Sequence, residues 1–224
     1  MASREACWRR NIFAVRGLYP IVDVDSLEQR GLDVLEFAER VLAARPELLQ
    51  LRAKRVGARD TVELLRELLP RCRRAGALLF ANDRPDLALL AGCDGIHVGQ
   101  DDLAILDVRA IAGELRIGVS THDLGQLTAA IAARPDYVAL GPIFTTVSKE
   151  RPDPLVGLEM LARAHELTRA AGMPLVAIGG VDLPRAATLR GHCELGAVIA
   201  ALLPDDRDLA TVTSRARALH VALS

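Results

Sequence analysis

The stretch ALLFANDRPDLALLAGCDGIHV, residues 77–98, decides the fold. It opens on a short apolar run at 77–81 and closes on another at 94–98. Between them, Pro85 and Asp86 mark a helix start, because proline's missing N–H and fixed φ suit the first helical turn. A strand, a helical connection and a second strand in so short a span make a β-α-β unit, and repeated β-α-β units imply a parallel sheet.

The same alternation runs along the chain in both directions. Short apolar runs bounded by Gly, Pro or charge stand at 18–23 (LYPIVD), 47–51 (ELLQL), 115–119 (LRIGV), 136–140 (DYVAL), 174–178 (PLVAI) and 194–199 (ELGAVI). With the two runs already quoted they make eight strands. Amphipathic stretches lie between them. Val34, Ala38, Val41 and Leu42 share one helical face, as do Val62, Leu65, Leu69 and Cys72. Leu124, Leu127 and Ile131 form a third face, and Leu209, Val212, Ala216 and Leu219 a fourth. All fit a period of 3.6 residues. Eight such units in 224 residues give 28 residues per unit and point to a single-domain (β/α)8 barrel over residues 17–224. A doubly wound open sheet would carry a glycine-rich phosphate turn after its first strand, and Val24-Asp25-Ser26 is no such turn. Residues 1–16 are polar and irregular apart from Trp8, Ile12 and Phe13, and read as a leader or a cap over one barrel end.

Composition narrows the function. Half of the residues are apolar, aromatics are only 3%, and the formal net charge is −1, so the core is aliphatic and no charge excess invites nucleic acid or an anionic membrane. No window approaches the roughly 20 apolar residues that cross a bilayer. The first ten residues lack the apolar stretch of a secretory signal. Cys7, Cys72, Cys93 and Cys193 have neither disulfide nor zinc spacing, as expected of reduced thiols in the cytoplasm.

In a barrel of this kind, function sits where the strands end. After strand 2, Gln50, Arg52 and Lys54 alternate onto one face, placing an amide and two cations at the mouth, a set that suits a diphosphate. The stretch also reads as a solvated basic strand end, extended by Arg55. After strand 3 come Asn82 and Asp83, and after strand 4 Asp101 and Asp102. Each aspartate reads as a helix cap on its own. Together, on strands about 4.8 Å apart, Asp83 and Asp102 suit one Mg²⁺. Ser120 follows strand 5, where capping the next helix competes with a ligand role. His122 beside it, and His97 inside strand 4, read as structural or supporting. The long stretch after strand 6, 141–157, carries Thr145, Thr146, Ser148 and Lys149 and reads as a lid. Gly179-Gly180 after strand 7 lets backbone approach an anion, and Ile199-Ala200 after strand 8 completes a phosphate-site position.

In this order GLYPIVD (17–23), QLRAK (50–54), NDRPDLA (82–88), DGIHVGQDD (94–102), GVSTHD (118–123), DYVALGPIFTTVSK (136–149) and AIGGV (177–181) resemble the thiamine-phosphate synthases across residues 17–203. That family is a TIM barrel joining 4-amino-2-methyl-5-hydroxymethylpyrimidine diphosphate to hydroxyethylthiazole phosphate, with release of diphosphate. The resemblance implies that Gln50, Arg52, Lys54, Asn82, Ser120 and Lys149 contact the pyrimidine diphosphate, with Arg52, Lys54 and Lys149 assisting departure of the leaving group. It implies Asp83 and Asp102 as Mg²⁺ ligands. Thr146, Ser148, Gly180 and the backbone of Ile199 and Ala200 would hold the thiazole phosphate. The partners expected are these two small molecules. Self-association into a homo-oligomer is compatible with the sequence but not indicated by it.

Three departures stand out: Thr145 where the family's lid usually has proline, with Ser148 for threonine; Ala200 where the last phosphate turn often has serine; and Pro20 and Val22 in the first strand. Rival readings are a thiazole tautomerase of the same superfamily using His122, another phosphate-binding lyase or epimerase barrel, and a non-catalytic ligand-binding barrel. The first two do not explain the paired carboxylates beside a basic strand end, and an intact set of site residues is unexpected for the third.

Overall fold

The computed structural model describes residues 15–146 and 154–224. Eight parallel strands pair in sequence order, and β8 closes on β1. The strands are β1 (Gly17–Asp23), β2 (Leu48–Arg52), β3 (Leu78–Asn82), β4 (Gly95–Val98), β5 (Arg116–Thr121), β6 (Tyr137–Leu140), β7 (Leu175–Ile178) and β8 (Leu195–Val198). Helices α1 (Val24–Glu28) and α2 (Val34–Leu42) follow β1. They are succeeded by α3 (Ala58–Ala75), α4 (Pro85–Ala91), α5 (Ile105–Ile111), α6 (Leu124–Ala132), α7 (Gly157–Ala170), α8 (Leu183–Ala186) and α9 (Val212–Leu223). The expected (β/α)8 barrel is the architecture found. No described helix is long and apolar enough to cross a membrane.

Strand alternation sorts the core into two layers. Residues facing out of the barrel, such as Leu18, Val22, Leu49, Leu51, Leu79 and Ile96, pack under the helices in one large aliphatic cluster. The helical faces read from sequence supply the other side. Val62, Leu65, Leu69 and Cys72 of α3 are buried, together with Leu68. Val212, Ala216 and Leu219 of α9 are buried, as is Leu209 in the short 3₁₀ turn before it. Residues facing inward form a second, smaller cluster around Tyr19, Phe80 and Tyr137 with Leu48, Leu78 and Val176. A cavity here would cost a few kcal/mol per large side chain removed.

The large inner side chains need glycine opposite them. A Cβ on Gly118 would lie 2.0 Å from the Tyr137 ring, so only glycine lets that ring lie inside the barrel. Its hydroxyl thereby reaches the centre, which bears on the site below.

Caps set where helices begin. Asp33, Asp123 and Asp182 each accept a hydrogen bond from the third residue onward, at 2.7, 2.8 and 2.9 Å. The expected capping roles of Asp83, Asp102 and Ser120 are not found. Helix α4 is capped by Arg84 and α5 by Ala104, both without a side-chain bond, and α6 is capped by Asp123. Those three side chains are thus spared for other work.

Candidate active site

The C-terminal ends of the strands surround one cavity of about 490 Å³. Gln50, Arg52, Lys54, Asn82, Asp83 and Asp102 line one side of it, and Ser120, Thr146, Gly180, Ile199 and Ala200 the other. The structure therefore brings together every expected site residue that it describes. Ser148 and Lys149 lie outside the described residues.

The basic and acidic groups interlock. Asp23, the last residue of β1, pairs in register with Arg52, the last of β2, and the two side chains form an ion pair. Asp23 is buried and its second oxygen accepts the Ser26 N–H at 2.9 Å, so it anchors the guanidinium while starting α1. Leaving either partner of a buried pair alone costs about 3–5 kcal/mol. The sequence reading assigned Asp23 no role. The available signal was an acid and a base at the ends of adjacent strands.

Lys54 pairs with Asp83. Asp83 has a left-handed backbone, φ 62°, a conformation that aspartate tolerates better than most residues. Its N–H donates to the His97 carbonyl at 2.8 Å, which ties the end of β3 to β4. This turn swings the carboxyl group over the barrel mouth, away from α4. There it comes within hydrogen-bonding range of Asp102. Burial raises the Asp83 carboxyl above its ordinary value, the nearby Asp102 raises it further, and Lys54 partly offsets both. Asp102 is fixed from its own loop, accepting the Gly99 N–H at 2.6 Å. Two carboxylates that meet at a cavity wall repel unless a proton or a cation sits between them, so this pair fits a divalent ion with oxygen ligands. Among the described residues no group of three or more His, Cys, Asp or Glu forms a metal cluster.

The opposite wall is made of main chain. Gly179 and Gly180 adopt φ of 95° and 65°, and a Cβ on Gly180 would lie 2.5 Å from the Thr145 carbonyl oxygen. Ile143 N–H and Phe144 N–H donate to the carbonyls of Ile178 and Gly179 at 2.9 and 3.0 Å. The root of the β6 loop is thus zipped onto the turn after β7. Arg185 secures both, donating to the Gly180 carbonyl at 2.8 Å and lying 5.2 Å from the Phe144 ring centre. Ile199 and Ala200 begin a 3₁₀ turn beside this pair.

Three further residues escaped the sequence reading as members of the site. Tyr19, Tyr137 and His97 join Gln50 to Ser120 beneath the cavity. Burial lowers His97 to about 4 and raises both phenols. His122 lines the cavity and its Nδ1 donates to the Gly141 carbonyl at 2.6 Å, a bond that fixes the loop after β6. Cys72, Cys93 and Cys193 are buried, and burial pushes each thiol up to about 12, so none is a nucleophile.

Residues 18–202 match the family model for thiamine monophosphate synthase. The chain belongs to this family. It is 42% identical over 198 residues to the thiamine-phosphate synthase of Koribacter versatilis, spanning 87% of this chain and 92% of that one. It is 40% identical over 205 residues to the thiamine-phosphate synthase of Myxococcus xanthus, spanning 91% and 90%. Among solved structures it is similar to a thiamine phosphate pyrophosphorylase from Pyrococcus furiosus, with a TM-score of 0.82, 28% identity, and 95% and 97% of the two chains covered.

Proposed function

We propose that the chain is a transferase joining an aminopyrimidine methyl diphosphate to a hydroxyethylthiazole phosphate, giving thiamine phosphate and diphosphate. The observation that carries this reading is the meeting of the Asp83 and Asp102 carboxyl groups beside Lys54 on the wall of a single cavity. Asp83 and Asp102 hold a Mg²⁺, the metal such a carboxylate pair and a diphosphate select together. When bound, Mg²⁺ neutralises charge on the departing diphosphate.

Arg52 and Lys54 bind the same diphosphate as fixed cations. Arg52 is held in place by Asp23, so its charge need not reorganise as the leaving group departs. Asn82 and Gln50 bind from the same wall, and Ser120 from the facing one. Thr146, Gly180 and the backbone at Ile199 and Ala200 hold the thiazole phosphate, and from the sequence resemblance we assign Ser148 to the same phosphate and Lys149 to the pyrimidine diphosphate. The C–O bond to diphosphate breaks first, its electron pair leaving with the diphosphate, and the pyrimidine ring carries the positive charge. The thiazole nitrogen then supplies the electron pair for the new C–N bond. No protein nucleophile takes part. Ile21, Ala139, Val176 and Ile178 line the cavity floor and keep water from the cation. Their low polarity also strengthens each electrostatic contact.

We place the enzyme in the cytoplasm, where its buried thiols stay reduced. The test is incubation with both precursors and Mg²⁺, with thiamine phosphate and diphosphate measured together. Equal amounts of both are expected. Absence of diphosphate release, or turnover undiminished by chelation of divalent metal, contradicts the reading.

A further inference from the structure

The main-chain wall of the cavity turns on two glycines, Gly179 and Gly180, and a glycine pair does not hold one backbone shape by itself. Here both carbonyls are gripped by residues that do not line the cavity. Phe144 N–H donates to the Gly179 carbonyl at 3.0 Å, and the Arg185 guanidinium donates to the Gly180 carbonyl at 2.8 Å. The guanidinium is itself fixed, 3.5 Å from the Asp182 carboxylate and 5.2 Å from the Phe144 ring centre.

That grip decides where the next N–H points. The Gly180–Val181 peptide is trans, and across a trans peptide the carbonyl and the N–H project in opposite directions. With the Gly180 carbonyl on Arg185, the Val181 N–H is turned away from Arg185. Val181 is 5% exposed and its side chain belongs to the aliphatic cluster under the helices, so what it turns to the cavity is main chain. Among the described residues no acceptor meets the N–H of Gly180 or of Val181. Buried main-chain donors without a partner are rare, so two in succession on a cavity wall mark the place of an acceptor that binds there.

We propose that Arg185 is a positioning residue that locks the Gly180–Val181 peptide, so that the Val181 N–H donates to the phosphate of the thiazole substrate. This rests on the synthase reading above and adds Val181 to the donors named there. Without Arg185, a peptide plane that follows two glycines can turn over. The Gly180 carbonyl oxygen then faces the phosphate, and two negative partial charges meet. Donors aimed before binding spare the substrate the cost of ordering them. The rival explanation is that Arg185 only neutralises Asp182, an acid two residues from Gly180.

Two measurements test this. First, ¹H–¹⁵N spectra of valine-labelled native protein follow the Val181 amide, assigned by its loss in Val181→Ile. Thiazole phosphate is expected to move this amide proton downfield, as a hydrogen bond to an anion does, and hydroxyethylthiazole without phosphate to leave it in place. An amide that does not respond to the phosphate overturns the proposal. Second, Arg185→Ala is expected to raise KM for the thiazole phosphate about tenfold, the worth of one charge-assisted hydrogen bond, with far smaller changes in kcat and in KM for the pyrimidine diphosphate. An unchanged KM, or equal rises for both substrates, overturns the proposal. So does recovery of the native KM when Asp182→Asn is added to Arg185→Ala, because the guanidinium then acts only as a countercharge. The Arg185 side chain is 42% exposed, so the variant is expected to fold. Should it not, the Val181 amide of the native chain decides alone. If the native chain makes no thiamine phosphate from the two precursors, the synthase reading fails and this claim with it. If it makes thiamine phosphate while the Val181 amide stays in place, only the positioning claim fails.

Discussion

From β1 to β4 the rim of the barrel is built of charged side chains; from β6 to β8 it is built of main chain. The first wall holds Asp23 against Arg52 and Lys54 against Asp83, with Asp102 alongside. The second holds glycines at positive φ, a zipped loop root and the start of a 3₁₀ turn. Each wall suits one partner of the proposed reaction. A diphosphate that must leave needs charge that is strong in the transition state, and fixed ions supply it. A phosphate that must only be held needs directed N–H groups, and backbone supplies those without regard to side-chain identity. That is why Ala200 is compatible with the second wall, whereas no neutral residue would be compatible at Asp83.

Removing charge from the first wall should cost most. Asp102→Ala is expected to lower kcat on the order of 10³-fold while the circular dichroism spectrum stays native. Activity within threefold or so of the native chain would erase the distinction between the walls. Arg52→Ala should both weaken pyrimidine diphosphate binding and lower unfolding free energy by about 3 kcal/mol in urea titrations, since Asp23 is left buried without its partner. Loss of binding without loss of stability would show that Asp23 is satisfied elsewhere. His97 adds a pH signature to the same side of the barrel. Its folded value of about 4 lies below the ordinary 6.5, so the unfolded chain takes up the proton first as pH falls. Its contribution is full above pH 6.5 and declines through about pH 4, by roughly 3 kcal/mol. Denaturation of His97→Gln across that window should lack this slope.

Changes on the second wall should be smaller and should act on the other substrate. Gly180→Ala forces a side chain into a left-handed backbone and against the Thr145 carbonyl. The strain is about 1–3 kcal/mol, expected as a roughly tenfold or greater rise in KM for the thiazole phosphate with little change for the diphosphate. Ala200→Ser should have the smallest effect, a few-fold fall in the same KM through one added hydroxyl donor. Equal effects on both substrates would mean that the walls do not divide the work.

The same division explains what the sequence makes legible. Strand runs were found to within a residue or two because alternation and flanking breakers are local. ELLQL at 47–51 became Leu48–Arg52, a shift of one. Gln50, Arg52 and Lys54 are legible as neighbours because residues at spacing two share one face of an extended chain. Asp83 was ambiguous with a cap, and only its φ of 62° turns it from the helix to the mouth. Ser120 was ambiguous until Asp123 proved to be the cap. Tyr19 and Tyr137 were not legible as partners, because their hydroxyls meet across the barrel over 118 residues of sequence, through a gap left by Gly118. Arg185 was missed because its work is to hold a backbone carbonyl, which no spacing announces.

The central claim is that Asp83 and Asp102 grip one divalent ion that the diphosphate also touches. Electron paramagnetic resonance with Mn²⁺ in place of Mg²⁺, titrated in the presence of diphosphate, tests it directly. The account predicts one bound ion in the native chain and a large loss of affinity in both Asp83→Asn and Asp102→Asn. Native affinity in both variants would contradict it.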